Sequence, residues 1–135
     1  MKKKFAFLQE EVCADNGVVE ENVTQSGQEV TATVAENFLQ EKATAAILCR
    51  GAHADLFPID IGMARDTKVP RYKVAYGTKN MAKGPAMTRE EAVRALETGI
   101  AVAEEKIAAG YQLMATGEMV SFFMYLLAIF VLFAG

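Results

Sequence analysis

The stretch from Thr88 to Gly110 leaves this chain the least freedom. Thr88 and Glu91 stand at capping-box spacing, so the hydroxyl can accept from the Glu91 amide while the carboxylate reaches back. Val93, Leu96, Ile100, Ala103 and Ile107 then follow at alternating steps of three and four, which is one apolar stripe on a helix. Gly110 is placed to close that helix in the left-handed region. Arg89, Glu90, Arg94, Glu97 and Glu104 lie off the stripe and read as a solvated face. A long amphipathic helix needs a surface to bury its stripe against, and strand candidates on both sides of it supply one.

Before the helix, residues 56–62 read as a buried strand with Asp60 near its carboxyl end, although Pro58 removes a ladder donor. Residues 73–76 give a short strand ending at Gly77, and residues 111–115 give another that leads into Thr116-Gly117-Glu118-Met119. At the front, an apolar run enters the turn dipeptide Asn16-Gly17, with the polar patch at Gln9, Glu10 and Glu11 spoiling the strand. Ser26 and Glu29 repeat the capping-box spacing ahead of Val30, Val34 and Phe38, with Ala35 and Leu39 beside them. Residues 43–50 suit a short second helix closed by Gly51. Strands alternating with capped helices predict an α/β fold: a partial parallel, Rossmann-like sheet with helices flanking it in three layers.

Several function classes drop out. The 135 residues carry a net charge of −3 with the basic residues spread along the chain, so no nucleic-acid partner is expected. Cys13 and Cys49 sit in apolar company and read as buried free thiols, and His53 lacks neighbours with which to hold a metal. The basic start stops short of a signal peptide, which predicts a cytoplasmic protein. From Val120 onward no charged residue occurs. Residues 120–133 are the one stretch through which the chain could meet a bilayer, at the short edge of the ~17–25 residues a span requires. A membrane-associated remnant is therefore the alternative class.

Four stretches, taken in order, resemble one family. They are Cys13-Ala14-Asp15-Asn16-Gly17 with Val23-Thr24 and Gln28-Glu29-Val30-Thr31; Ile59-Asp60-Ile61-Gly62; Gly77-Thr78-Lys79-Asn80 with Pro85-Ala86-Met87-Thr88; and Thr116-Gly117-Glu118-Met119. The chain over about residues 12–119 is similar to nicotinate-nucleotide:dimethylbenzimidazole phosphoribosyltransferases, which make the lower-ligand nucleotide of cobalamin. The resemblance implies small-molecule substrates, nicotinate mononucleotide and dimethylbenzimidazole, and no metal or organic cofactor. It also implies a homodimer.

Residue by residue, Glu118, with Gly117 before it, matches the family glutamate beside the nucleotide ribose. Thr24 matches a small hydroxyl residue of the base pocket, and Asp15 faces that pocket from a strand end. Asp15 reads equally well as a turn cap. Glu118 could also be a loop carboxylate without a role, because the family motif continues Gly-Ile-Gly-Asn-Thr where this chain has Val120, Ser121 and Phe122. The glycines that would bring backbone amides to a phosphate are thus missing. The family's catalytic glutamate and a phosphate-linked lysine lie beyond the matched region, so no catalytic residue is assigned here. The expectation is a partial phosphoribosyltransferase domain over residues 1–119 and a tail over 120–135 without family counterpart, inactive by itself. A benzimidazole-binding module is the remaining reading.

Overall fold

The computed structural model describes residues 4–12, 19–22 and 27–118. Cys13, Asp15, Thr24, Ser26 and the apolar tail lie outside the described residues. Three strands, β1 (Phe5–Val12), β2 (Asp55–Gly62) and β3 (Leu113–Glu118), form one sheet in the order β2-β1-β3. Both pairings are parallel, with Ala6 opposite Asp55 on one side and Met114 on the other. Helices α1 (Glu29–Leu39) and α2 (Thr44–Ala52) connect β1 to β2, and α3 (Arg89–Ala108) connects β2 to β3.

The first crossover runs from β1 out to β2 and the second runs back from β2 past β1 to β3, so right-handed connections in opposite directions put their helices on opposite faces. The packing agrees. Ala6 and Leu8 of β1, Ile59 of β2 and Met114 of β3 form one core with Val102 of α3. Phe5 and Phe7, which alternate to the other side, line a groove with Ala45, Leu48 and Cys49 of α2. The result is the expected three-layer α/β arrangement.

Local details depart from the sequence reading in instructive ways. The strand β1 runs straight through Gln9, Glu10 and Glu11, which pair with Pro58, Ile59 and Asp60. Those residues are at the carboxyl end of a central strand, where a sheet opens toward solvent and ligand rather than toward core. Pro58 is tolerated because Asp60, two residues on, turns its amide and carbonyl to the outer side of β2, where it bonds Pro70 and Tyr72. By period-two alternation Pro58 faces the same way, and no bond to β1 is lost.

The expected strand at 73–76 is an irregular edge segment. Residues 71–77 run along β2 with one parallel bridge, Asp60 with Arg71, and amide bonds from Val74 to Ile61 and from Gly77 to Gly62. The third strand starts two residues later than expected and takes in Thr116, Gly117 and Glu118.

Helix α3 keeps both expected ends. Thr88 accepts from the Glu91 amide, Glu91 accepts from the Thr88 amide, and Gly110 has φ of 88°. Its orientation is the surprise. Val102 is its buried residue, while Val93, Leu96, Ile100 and Ile107 are exposed, Leu96 and Ile100 by more than half (58% and 59%). Helix α1 keeps part of its expected face: Ala35 and Phe38 are buried, together with Thr31 and Ala32, while Val30 and Leu39 are exposed. Ala32 and Ala35 accept Met63 and Val69 from the loop after β2, a close approach that small side chains permit. Gln28 stands at the N-cap of α1, and the capping box read at Ser26 falls outside the described residues. Helix α2 runs past Gly51, and His53 takes the left-handed closing position (φ 54°, ψ 36°). Cys49 is a buried free thiol, and burial pushes its pKa up.

Candidate functional site

In a doubly wound sheet, ligands meet the carboxyl ends of the strands where the connections diverge. Here that switch point lies between β1 and β3. Gly117 stands opposite Gln9 and Glu118 opposite Glu10, so the last two residues of β3 lie at the carboxyl end of the strand beside that switch point. Strand β1 ends at Val12, three residues before Asp15 in the sequence. Of the residues singled out from sequence, the described part therefore includes Gly117 and Glu118. Asp15 and Thr24 lie outside it.

The carboxyl end of β2 carries the most enclosed charge among the described residues. Asp60 is fully buried. Its Oδ1 accepts from the Met63 amide at 2.9 Å, tying the first turn of the following loop to the strand. Its Oδ2 lies 3.0 Å from Nζ of Lys73, whose side chain is 6% exposed. That oxygen accepts no aligned hydrogen bond, so Lys73 answers it as a charge more than as a donor. The ammonium donates to the carbonyls of Met63 (2.8 Å) and Arg65 (3.1 Å), and sits 4.2 Å from the centre of the Tyr76 ring. One buried cation thus holds the strand end, the 63–65 turn and the 70–77 edge segment together. Sequence reasoning placed Asp60 at a strand end but missed Lys73. A lone carboxylate in an apolar strand was the available signal that a cation must come from elsewhere.

Beyond that edge segment an open groove is lined by Tyr76, Thr78, Lys79, Asn80, Lys83 and the start of α3. Across it stands the turn 19–22. Asn80 Nδ2 donates to Glu20 Oε2 at 3.0 Å and to Glu21 Oε1 at 2.7 Å, and Lys83 Nζ donates to Glu20 Oε2 at 2.9 Å. The Asn80 amide first and then Lys83 hold the Glu20 carboxyl below the usual carboxylate range, and Glu20 raises Lys83 in return. Asn80 belongs to the Gly77–Asn80 motif, and nothing local in the sequence pairs it with Glu20 and Glu21. Among the described residues no group of three or more His, Cys, Asp or Glu side chains could hold a metal.

Fold and crevice together define the doubly wound α/β class, with its site at the carboxyl ends of parallel strands. A family model described as phosphoribosyltransferase matches residues 9–120. The nicotinate-nucleotide–dimethylbenzimidazole phosphoribosyltransferase of Clostridium tetani is 50% identical over 110 residues, covering 79% of this chain and 30% of that protein. The enzyme of the same name from Geobacter metallireducens is 47% identical over 110 residues, covering 78% and 31%. The crystal structure of CobT from Thermus thermophilus superposes with a TM-score of 0.78 at 34% identity, over 88% of this chain and 36% of that one. This chain belongs to the nicotinate-nucleotide:dimethylbenzimidazole phosphoribosyltransferase family. It spans about a third of the length of the curated relatives it matches.

Proposed function

We propose that the chain carries one wall of a phosphoribosyl-transfer site and is inactive by itself. In the whole reaction a ring nitrogen of dimethylbenzimidazole attacks C1′ of nicotinate mononucleotide. The bond from C1′ to the nicotinate nitrogen breaks, and its electron pair leaves with nicotinate. A carboxylate takes the proton of the attacking heterocycle, and α-ribazole phosphate forms. The sugar passes through a ribosyl cation-like state, so rate comes from positioning two rings and from negative charge near the ribose.

Glu118 is assigned to that charge beside the ribose, with Gly117 keeping the approach open. Asp15 and Thr24 are assigned to the base pocket. The single observation carrying this reading is the parallel register that sets Gly117 and Glu118 at the switch-point crevice in a member of this family. The base that accepts the proton is assigned to sequence beyond this chain. Residues 1–119 are taken as the family part and 120–135 as a tail without counterpart, a boundary supported by the end of the family match at 120.

The test is a chimera in which residues 9–118 replace the matching third of the Clostridium tetani relative. The chimera is expected to convert nicotinate mononucleotide and dimethylbenzimidazole to α-ribazole phosphate, and the 135-residue chain to make none. Glu118→Gln in the chimera should lower kcat/KM about 100-fold, the scale of losing one transition-state contact. Turnover by the isolated chain, or a folded chimera without activity, defeats the reading.

A further inference from the structure

We infer that Asn80, with Lys83, is a positioning latch that docks the turn 19–22 onto the loop before α3. The stretches on either side of that turn are the ones assigned to the base pocket, and to that extent the inference rests on the proposed function.

The geometry uses every polar atom of the Asn80 side chain. Oδ1 accepts from the Ala82 amide at 2.9 Å, and the Asn80 carbonyl accepts from the Lys83 amide at 3.1 Å, which folds residues 80–83 into a tight turn. With the oxygen turned inward, the NH2 group points across the groove, where one hydrogen goes to Glu20 and the other to Glu21. The assignment of oxygen and nitrogen is forced, since an amide needs an acceptor on one side and two carboxylates need donors on the other. The same turn brings Lys83 to Glu20, and to 3.9 Å from Glu21, so the cation offsets two adjacent like charges.

The loop is itself anchored. Lys79 donates its amide to Ala86, Thr78 is buried, and Thr88 begins α3 with its capping box closed. On the other side, the Asn22 amide bonds the Val19 carbonyl, and Asn22 takes φ of 56°. One fixed loop therefore grips one compact turn about sixty residues away in sequence, through contacts that only a short carboxamide supplies. Aspartate keeps the Oδ1 bond to Ala82 but brings a third negative charge and no donor.

The test follows amide hydrogen exchange by NMR on the 135-residue chain. Asn80→Asp should speed exchange of the Asn22 amide about tenfold while leaving amides in β2 and α3 unchanged, as expected of a local opening. Lys83→Glu should act in the same direction, and adding Glu20→Lys should restore most of the lost protection. Unchanged Asn22 exchange overturns the latch. A uniform rise through β2 and α3, or a charge swap that fails to rescue, overturns it as well. Because these readouts involve no turnover, the latch can fail while the chimera succeeds, and the reverse.

Discussion

Taking a lysine ammonium and a carboxylate out of water is costly; Lys73 is held by Asp60, Asp66 and two carbonyls, whereas Asp60 has Lys73 as its cation. Lys73→Met would leave the fully buried Asp60 without its cation. The expected loss is about 3–5 kcal/mol, read as a fall in the urea midpoint. Pairing it with Asp60→Asn, which removes the stranded charge, should recover a large part of that loss. A Lys73→Met chain as stable as the parent would show that the carboxylate finds solvent. At the opposite end of the sheet, Tyr111 donates to Asp55 Oδ2 at 2.6 Å. That hydrogen bond, with burial second, raises the phenol above its ordinary value of 10.0. A raised acid stabilises the fold while its proton stays on. This contribution is therefore complete below pH 10 and is lost as pH climbs through the folded pKa. Tyr111→Phe should flatten the alkaline fall of the melting temperature relative to the parent, Tyr72 being common to both. Identical alkaline profiles would count against the bond.

For the elements, the sequence foretold the existence and ends of α3 but not which side would be covered. Steps of three and four identify an aliphatic stripe, and the stripe exists. Val102, which lies off it, makes the core contact with Ala6, Leu8, Ile59 and Met114. Periodicity reports what a helix can bury, not what is present to bury it, and this chain spans only a third of its relatives' length. Leu96→Glu and Ile100→Glu should therefore change stability by less than about 0.5 kcal/mol in urea titrations, as surface replacements do. Unfolding by either would mean that the stripe is covered in solution. The capping box was legible because its two partners lie three residues apart. The Lys73 ion pair and the Asn80 latch were not, because their partners meet only once the chain has folded. Legible too were Gly117 and Glu118 as candidates, since they belong to a contiguous motif. Their position at the carboxyl end of β3, level with Gln9 and Glu10 of β1, needed the strand register.

At the scale of the molecule, two surfaces call for partners. Among the described residues the outer edge of β3 carries no strand, and the exposed aliphatic stripe of α3 is the other surface. Open parallel edges beside apolar patches favour association. Sedimentation velocity is expected to show species whose size grows with protein concentration. A monodisperse monomer with a cooperative melt would contradict this.

The strand order has a further consequence, in time. Of the three described strands the earliest in sequence is the central one, and Ala6 cannot pair with its two described neighbours until Asp55 and, much later, Met114 have been synthesised. At about 5–20 residues per second, β1 waits several seconds for one neighbour and roughly twice as long for the other. Among the described residues Phe5 and Phe7 wait for Ala45, Leu48 and Cys49 of α2, and Leu8 waits longer, for Ile59 and Met114. The nascent chain is then open to chaperones that hold apolar segments, and translation speed between the first and second strands becomes a determinant of yield.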